Sequence, residues 1–310
     1  MRPRFMRQRK RAGDHRSLQD GAAAVVSASR FLEEEGHTIL GTRAVAHGVQ
    51  AFVIEITTCR SRSHRSRFSL KVFGDSPQNP RLNSDSEIRR EFETLRTYSL
   101  SLQGLGSGGN QITCPRPVAL FLKQRSYLMT TVPGKPITRL AALGYECPRT
   151  VSDRIAVGLN QFHNALGEAY GDFSPSNVLV EPSAEVVSFI DPHYAHRPPN
   201  VECALSEPLV STDLGYWLAL SASQQLRAAT QPATAYRLAA STAQVAASVA
   251  LLTAGPEAHR ILHEAQSVAH AYIDQFPRRS RLAHATFATL KRKLVRRLMA
   301  AAATKTGTRS

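Results

Sequence analysis

Asp172 and Asn177 stand five residues apart in YGDFSPSNVLV (170–180), with a Ser-Pro-Ser turn between them. The apolar runs NVLVEP (177–182) and VVSFIDP (186–192), joined near Ser183, predict a hairpin that returns the chain to Asp191. Two carboxylates and one amide thus converge on one spot. Phosphoryl transfer uses such a set. One carboxylate positions an acceptor hydroxyl and takes its proton, while hard oxygens hold Mg²⁺ and leave its other positions to water and phosphate. Singly, each residue has a plainer explanation as a turn residue, a cap or a strand end. The combined spacing carries the reading.

Lys71 interrupts the apolar strand FSLKVFG. It either faces water, as lysines usually do, or points inward and needs an anion, because a lone buried ammonium is costly. In the second case it pairs with a Glu of the next helix and with phosphate oxygens. Glu91, at the edge of the stripe Ile88, Phe92, Leu95 and Leu100, is the first candidate, and Glu87 and Glu93 compete with it.

The elements that must position these groups are legible as patterns. Residues 1–17 predict a disordered basic arm, and 17–36 a helix closed by Gly36. Residues 38–73 predict three antiparallel strands, with Gly48 in the first turn and TCRSRSHRSR around the second. A helix follows over 84–100, capped by Ser84 or Ser86, and two strands over 117–134. From Thr138 onward helices dominate, apart from the hairpin. The order implies an α+β, two-lobed chain with a cleft. Its bounds are an arm (1–17), a small antiparallel β-sheet N-lobe with one key helix (18–133), a larger mainly helical C-lobe (134–303) and a tail (304–310).

With these residues in place, the chain resembles the aminoglycoside phosphotransferase-like group of the protein-kinase-like fold, which includes choline, homoserine and fructosamine kinases. The resemblance covers about residues 38–220. YGDFSPSNVLV and VVSFIDP match the group's catalytic loop and metal strand in order and spacing. LNQFHNAL, with His163, matches the helix before the loop; YLMTTVPGKPI (127–137) matches the hinge, and TDLGYWLAL (212–220) the supporting helix. The resemblance implies that Asp172 is the catalytic base and that Asn177 and Asp191 bind Mg²⁺. It also implies that Lys71, paired to Glu91, holds the ATP phosphates. Backbone groups near Thr130 and Val132 would meet adenine with Met129 behind it, and Asp213 would be structural. Three departures stand out. Tyr170 replaces the group's His, Gly48 is the lone glycine of the phosphate loop, and Pro192 follows Asp191 where protein kinases carry Phe-Gly.

Composition bounds the partners. Net charge is +15, yet residues 1–17 hold seven Lys or Arg against Asp14, and 278–310 hold ten with no acid. The body is therefore near neutral, which disfavours a nucleic-acid partner. Residues 192–310 carry fourteen Lys or Arg to six acids, which favours a neutral or anionic small-molecule acceptor over a polycation. His193, Tyr194, His196 and Arg197 are either entrance residues or ordinary loop residues. The segment 278–303 reads as a terminal helix with a solvated basic face, or as a peripheral contact with an anionic membrane. Cys59, Cys114, Cys147 and Cys203 have no metal spacing and predict reduced thiols in a cytoplasmic protein. Leu238–Gly255 is too polar for a spanning helix and predicts a buried core helix. The leading expectation is an ATP- and Mg-dependent kinase of a small hydroxyl compound. The alternatives are a protein or lipid-linked glycan kinase and a pseudokinase-like scaffold.

Overall fold

The computed structural model describes residues 13–47, 51–61, 64–74, 84–103, 111–192, 205–275 and 286. Gly48, His193, Tyr194, His196, Arg197, Cys203, the tail and the basic segment 278–303 apart from residue 286 lie outside the described residues. The elements run α1 (Gly13–Glu34), β1 (Thr38–His47), β2 (Ala51–Ser61), β3 (His64–Phe73), α2 (Asp85–Gln103), β4 (Ile112–Thr113), β5 (Pro117–Phe121) and β6 (Ser126–Thr130). They continue with β7 (Lys135–Pro136), α3 (Ile137–Ala142), α4 (Arg149–Leu166), β8 (Val178–Glu181), β9 (Val186–Phe189), α5 (Pro208–Arg227), α6 (Pro232–Ala254) and α7 (Ala258–Asp274). The chain is α+β and divides into two units, Met1–Glu93 with Arg116–Thr131, and Thr94–Pro115 with Val132–Ser310. The boundary falls within α2.

The first unit is an antiparallel sheet in the order β1-β2-β3-β6-β5. On β3, Phe68, Leu70 and Val72 alternate onto one face, where they pack with Ile56 and Leu128 against Ala24, Ala28 and Leu32 of α1. Period 2 therefore turns Ser69 and Lys71 to the other face. The backbone of α1 starts at Gly13, inside the stretch expected to be a disordered arm. Once the apolar turns are formed, each further residue adds a hydrogen bond at little cost. The helix ends in a Schellman motif: Gly36 has φ +82°, its N–H donates to Glu33 O (3.0 Å), and His37 N–H donates to Leu32 O (2.9 Å).

The second unit is mainly helical and carries a small sheet in the order β4-β9-β8-β7. The β8–β9 hairpin was expected, but the flanking two-residue strands were not. β4 joins β9 in parallel, and β7 joins β8 antiparallel. α6 is buried along Leu238–Ala250, and Trp217 Nε1–H of α5 donates to Thr242 O within it (3.1 Å). By length and composition Pro232–Asp274 is apolar enough to cross a membrane, but 67% of its most apolar window is buried and a 3₁₀ turn at Gly255–Glu257 divides it. It serves here as core.

α5 and α7 meet at Gly215, where an added Cβ would lie 2.4 Å from Val268 Cγ1. Gly215→Ala is expected to destabilise the protein by about 1–3 kcal/mol through overpacking. Adding Val268→Ala should return part of the loss in urea denaturation. A Gly215→Ala midpoint equal to wild type would show that the helices separate freely.

Candidate active site

In the first unit Lys71 is buried, and its Nζ donates to Glu91 Oε1 at 2.6 Å. Glu91, also buried, accepts a second bond from the Tyr127 hydroxyl at the same oxygen, 2.6 Å. Tyr127 lies opposite Lys71 in the β3–β6 register, and the Lys71 ammonium sits 5.1 Å from the Phe73 ring centroid. Residue spacing explains the choice of Glu91 over its competitors. Glu91 is one helical turn from Ile88 and Leu95, which are buried, whereas Glu93 is turned outward. Ser84 Oγ accepts from Glu87 N–H at 3.3 Å, capping the helix that carries Glu91. Tyr127 was not anticipated as part of this group.

Of the residues expected near adenine, Thr130 is bonded into the sheet unit. Thr130 N–H donates to Arg116 O (2.9 Å) and its Oγ1 accepts from Arg116 N–H (2.9 Å). Thr131 N–H donates to Arg67 O (3.1 Å). The Thr130 and Thr131 N–H groups are thus taken by backbone carbonyls of the same unit. Met129 is half-buried, opposite Ser69 on β3.

In the second unit the catalytic-loop candidate hangs on Asp213, a fully buried carboxylate on α5. Its Oδ2 accepts from Tyr170 N–H (2.7 Å) and faces His163 Nε2 (2.7 Å), while Oδ1 accepts from Gly171 N–H (2.9 Å). The acceptor role of a carboxylate makes His163 Nε2 the protonated nitrogen. Its buried Nδ1 has no partner among the described residues. Gly171, at φ +90°, takes a turn that other residues resist. Further anchors are Gln224 Nε2 to Ser176 Oγ (2.7 Å), Thr138 N–H to Pro175 O (3.3 Å), and Phe173 stacked on Trp217 (4.6 Å).

On this support Asn177 Nδ2 donates to Asp172 Oδ2 (2.8 Å) and to Asp172 O (3.0 Å). Asn177 O accepts from Ile190 N–H (3.0 Å), and Ile190 O accepts from the Tyr170 hydroxyl (2.6 Å). Asp191 follows, with a left-handed φ of +59° rare for a non-glycine residue. The structure therefore brings Asp172, Asn177 and the backbone before Asp191 into one bonded set. Burial pushes the Tyr170 hydroxyl well above its usual pKa, with Tyr98, Asp191, Cys114 and Asp172 adding to the rise, so it is a proton donor. Burial also raises Tyr216 and Tyr272, an edge-to-face pair 5.0 Å apart on α5 and α7 that senses the charge of Asp172. Neither tyrosine had a sequence signal marking it.

The donor set suits a hard cation. With its Nδ2 committed to Asp172, the Asn177 side chain has its amide oxygen left to offer, and Asp191 adds a carboxylate. Among the described residues no group of three or more His, Cys, Asp or Glu side chains could hold a metal.

No family model and no curated protein matches the chain. Solved structures do. Rv3197 from Mycobacterium tuberculosis, in complex with erythromycin, is 14% identical over 49% of this chain and 46% of that one, TM-score 0.36. This chain thus spans just under half of that protein's length. Rad53 residues 1–466 with AMP-PNP is 16% identical over 77% of this chain and 69% of that one, TM-score 0.44. The kinase domain of maize SIRK1 with AMP-PNP is 10% identical over 75% and 93%, TM-score 0.39. All three scores are below 0.5; what the structure itself shows is an α+β chain with an antiparallel-sheet unit and a mainly helical unit.

Proposed function

We propose that the chain is an ATP- and Mg²⁺-dependent phosphotransferase acting on the hydroxyl of a small neutral or anionic compound. The observation that supports it most is the Asp172–Asn177 contact at 2.8 Å, on a loop whose backbone is held by Asp213 and whose hairpin leads to Asp191.

In this reading Asp172 accepts the proton of the acceptor hydroxyl as its oxygen bonds to the γ-phosphorus and the bond to ADP breaks. Asn177 Nδ2 keeps the Asp172 carboxylate turned toward that hydroxyl. Asn177 and Asp191 would hold Mg²⁺, which when bound neutralises phosphate charge. Lys71 would meet the phosphates, and Glu91, itself fixed by Tyr127, stops the ammonium from wandering. The excess of basic over acidic residues in 192–310 suits a neutral or anionic acceptor.

ATP binding with and without Mg²⁺, on wild type and Asp191→Ala, tests the reading. Wild type is expected to bind ATP more tightly with Mg²⁺, and Asp191→Ala to lose that dependence. Binding by neither protein would overturn it in favour of a scaffold. A panel of hydroxyl compounds screened for ADP release then identifies the acceptor class, with protein and glycan substrates included as competing outcomes.

A further inference from the structure

Ile190 is held from both sides. Its N–H donates to Asn177 O at 3.0 Å and its C=O accepts the Tyr170 hydroxyl at 2.6 Å. The next residue, Asp191, is kept at φ +59°, a conformation that persists only where its surroundings impose it. Tyr170 is itself enclosed. It is 1% exposed, its N–H is bound to Asp213, and its ring packs on Phe162 (4.8 Å), Phe189 (5.9 Å) and Phe173 (6.1 Å). One side chain thus ties the α5 anchor, the loop that carries Asp172 and the strand end that carries Asp191.

We infer that Tyr170 is a positioning residue: its phenol fixes the peptide before Asp191 and so sets the direction in which the Asp191 carboxylate is presented to a divalent cation. The cation part rests on the phosphotransferase reading; the backbone part does not. Tyr170→Phe isolates the claim, because the ring and its aromatic packing stay while the one bond to Ile190 O goes.

Two measurements decide it. Deuterium exchange of full-length protein should become about tenfold faster in the 186–191 segment of Tyr170→Phe, the worth of one hydrogen bond, with α4 and α6 unchanged. Unchanged exchange overturns the proposal. Mn²⁺ titration followed by electron paramagnetic resonance, with ADP present, should show affinity about tenfold or more weaker in the variant, as for loss of an outer-shell partner of a metal ligand. Faster exchange with unaltered Mn²⁺ affinity overturns the cation role and leaves a purely structural bond. No Mn²⁺ uptake by wild type sinks the phosphotransferase reading instead, and the exchange result still judges Tyr170.

Discussion

Asp172→Asn is expected to slow phosphoryl transfer by about 10²–10⁴-fold, the usual worth of a positioned general base, while ATP binding stays as in wild type. The substitution is chosen because it keeps shape. The new side-chain oxygen can still accept from Asn177 Nδ2, the bond that measures 2.8 Å in the native chain, and the second bond goes to the backbone carbonyl of residue 172, which is unaffected. Gly171 and Tyr170 keep their bonds to Asp213. What disappears is the negative charge and with it the proton acceptor. Asp172→Ala should lose as much activity but also removes the side-chain partner of Asn177 Nδ2, so only the Asn variant separates chemistry from architecture. Single-turnover ADP release with the best hydroxyl compound as acceptor gives the rate, and equilibrium ATP binding gives the control. A fall in rate without a change in binding marks an interaction made in the transition state. Turnover in Asp172→Asn equal to wild type would remove Asp172 from the reaction.

Most of the site's architecture was legible because it follows local periodicities. Leu70 and Val72 fill one face of β3, so Lys71 had to occupy the other. The D-x-x-x-x-N spacing and the two apolar runs located the loop and hairpin. What escaped depends on register or on reach. Tyr127 joins Glu91 because β6 pairs with β3 in one particular alignment, which a strand's own sequence does not specify. Thr130 bonds Arg116, just before β5, through both its N–H and its hydroxyl, a pairing that its own segment does not announce. β4 and β7 are two residues each and have no period to detect. Leu100, read as part of the α2 stripe, is exposed, and Tyr98 and Leu102 are buried in its place. At 100° per residue Leu100 lies about 120° away from Ile88, so a stripe centred on Ile88 and Leu95 continues to 98 and 102 instead. The departure at Tyr170 was visible, yet its consequence was not. Whether a phenol reaches Ile190 O depends on the path of the hairpin.

Removing the Asp213 carboxylate should cost the second unit a large part of its stability. Its two oxygens serve three donors, the N–H groups of Tyr170 and Gly171 and Nε2 of His163, with no solvent contact to replace it. In Asp213→Ala each donor is left buried and unsatisfied at about 1–3 kcal/mol apiece, so a loss of at least about 3 kcal/mol is expected. His163 is then left with neither ring nitrogen bonded among the described residues. Asp213→Asn should lose less, because its oxygen can still accept while its NH₂ is set against other donors. The Phe173–Trp217 stack and the Gln224–Ser176 bond still hold the far side of the loop. The near side, residues 170 and 171, should therefore open first. Urea denaturation gives the stability loss, and deuterium exchange at 168–172 gives its location. An Asp213→Ala protein as stable as wild type, with that segment still protected, would mean that the aromatic packing around Tyr170 alone carries the loop.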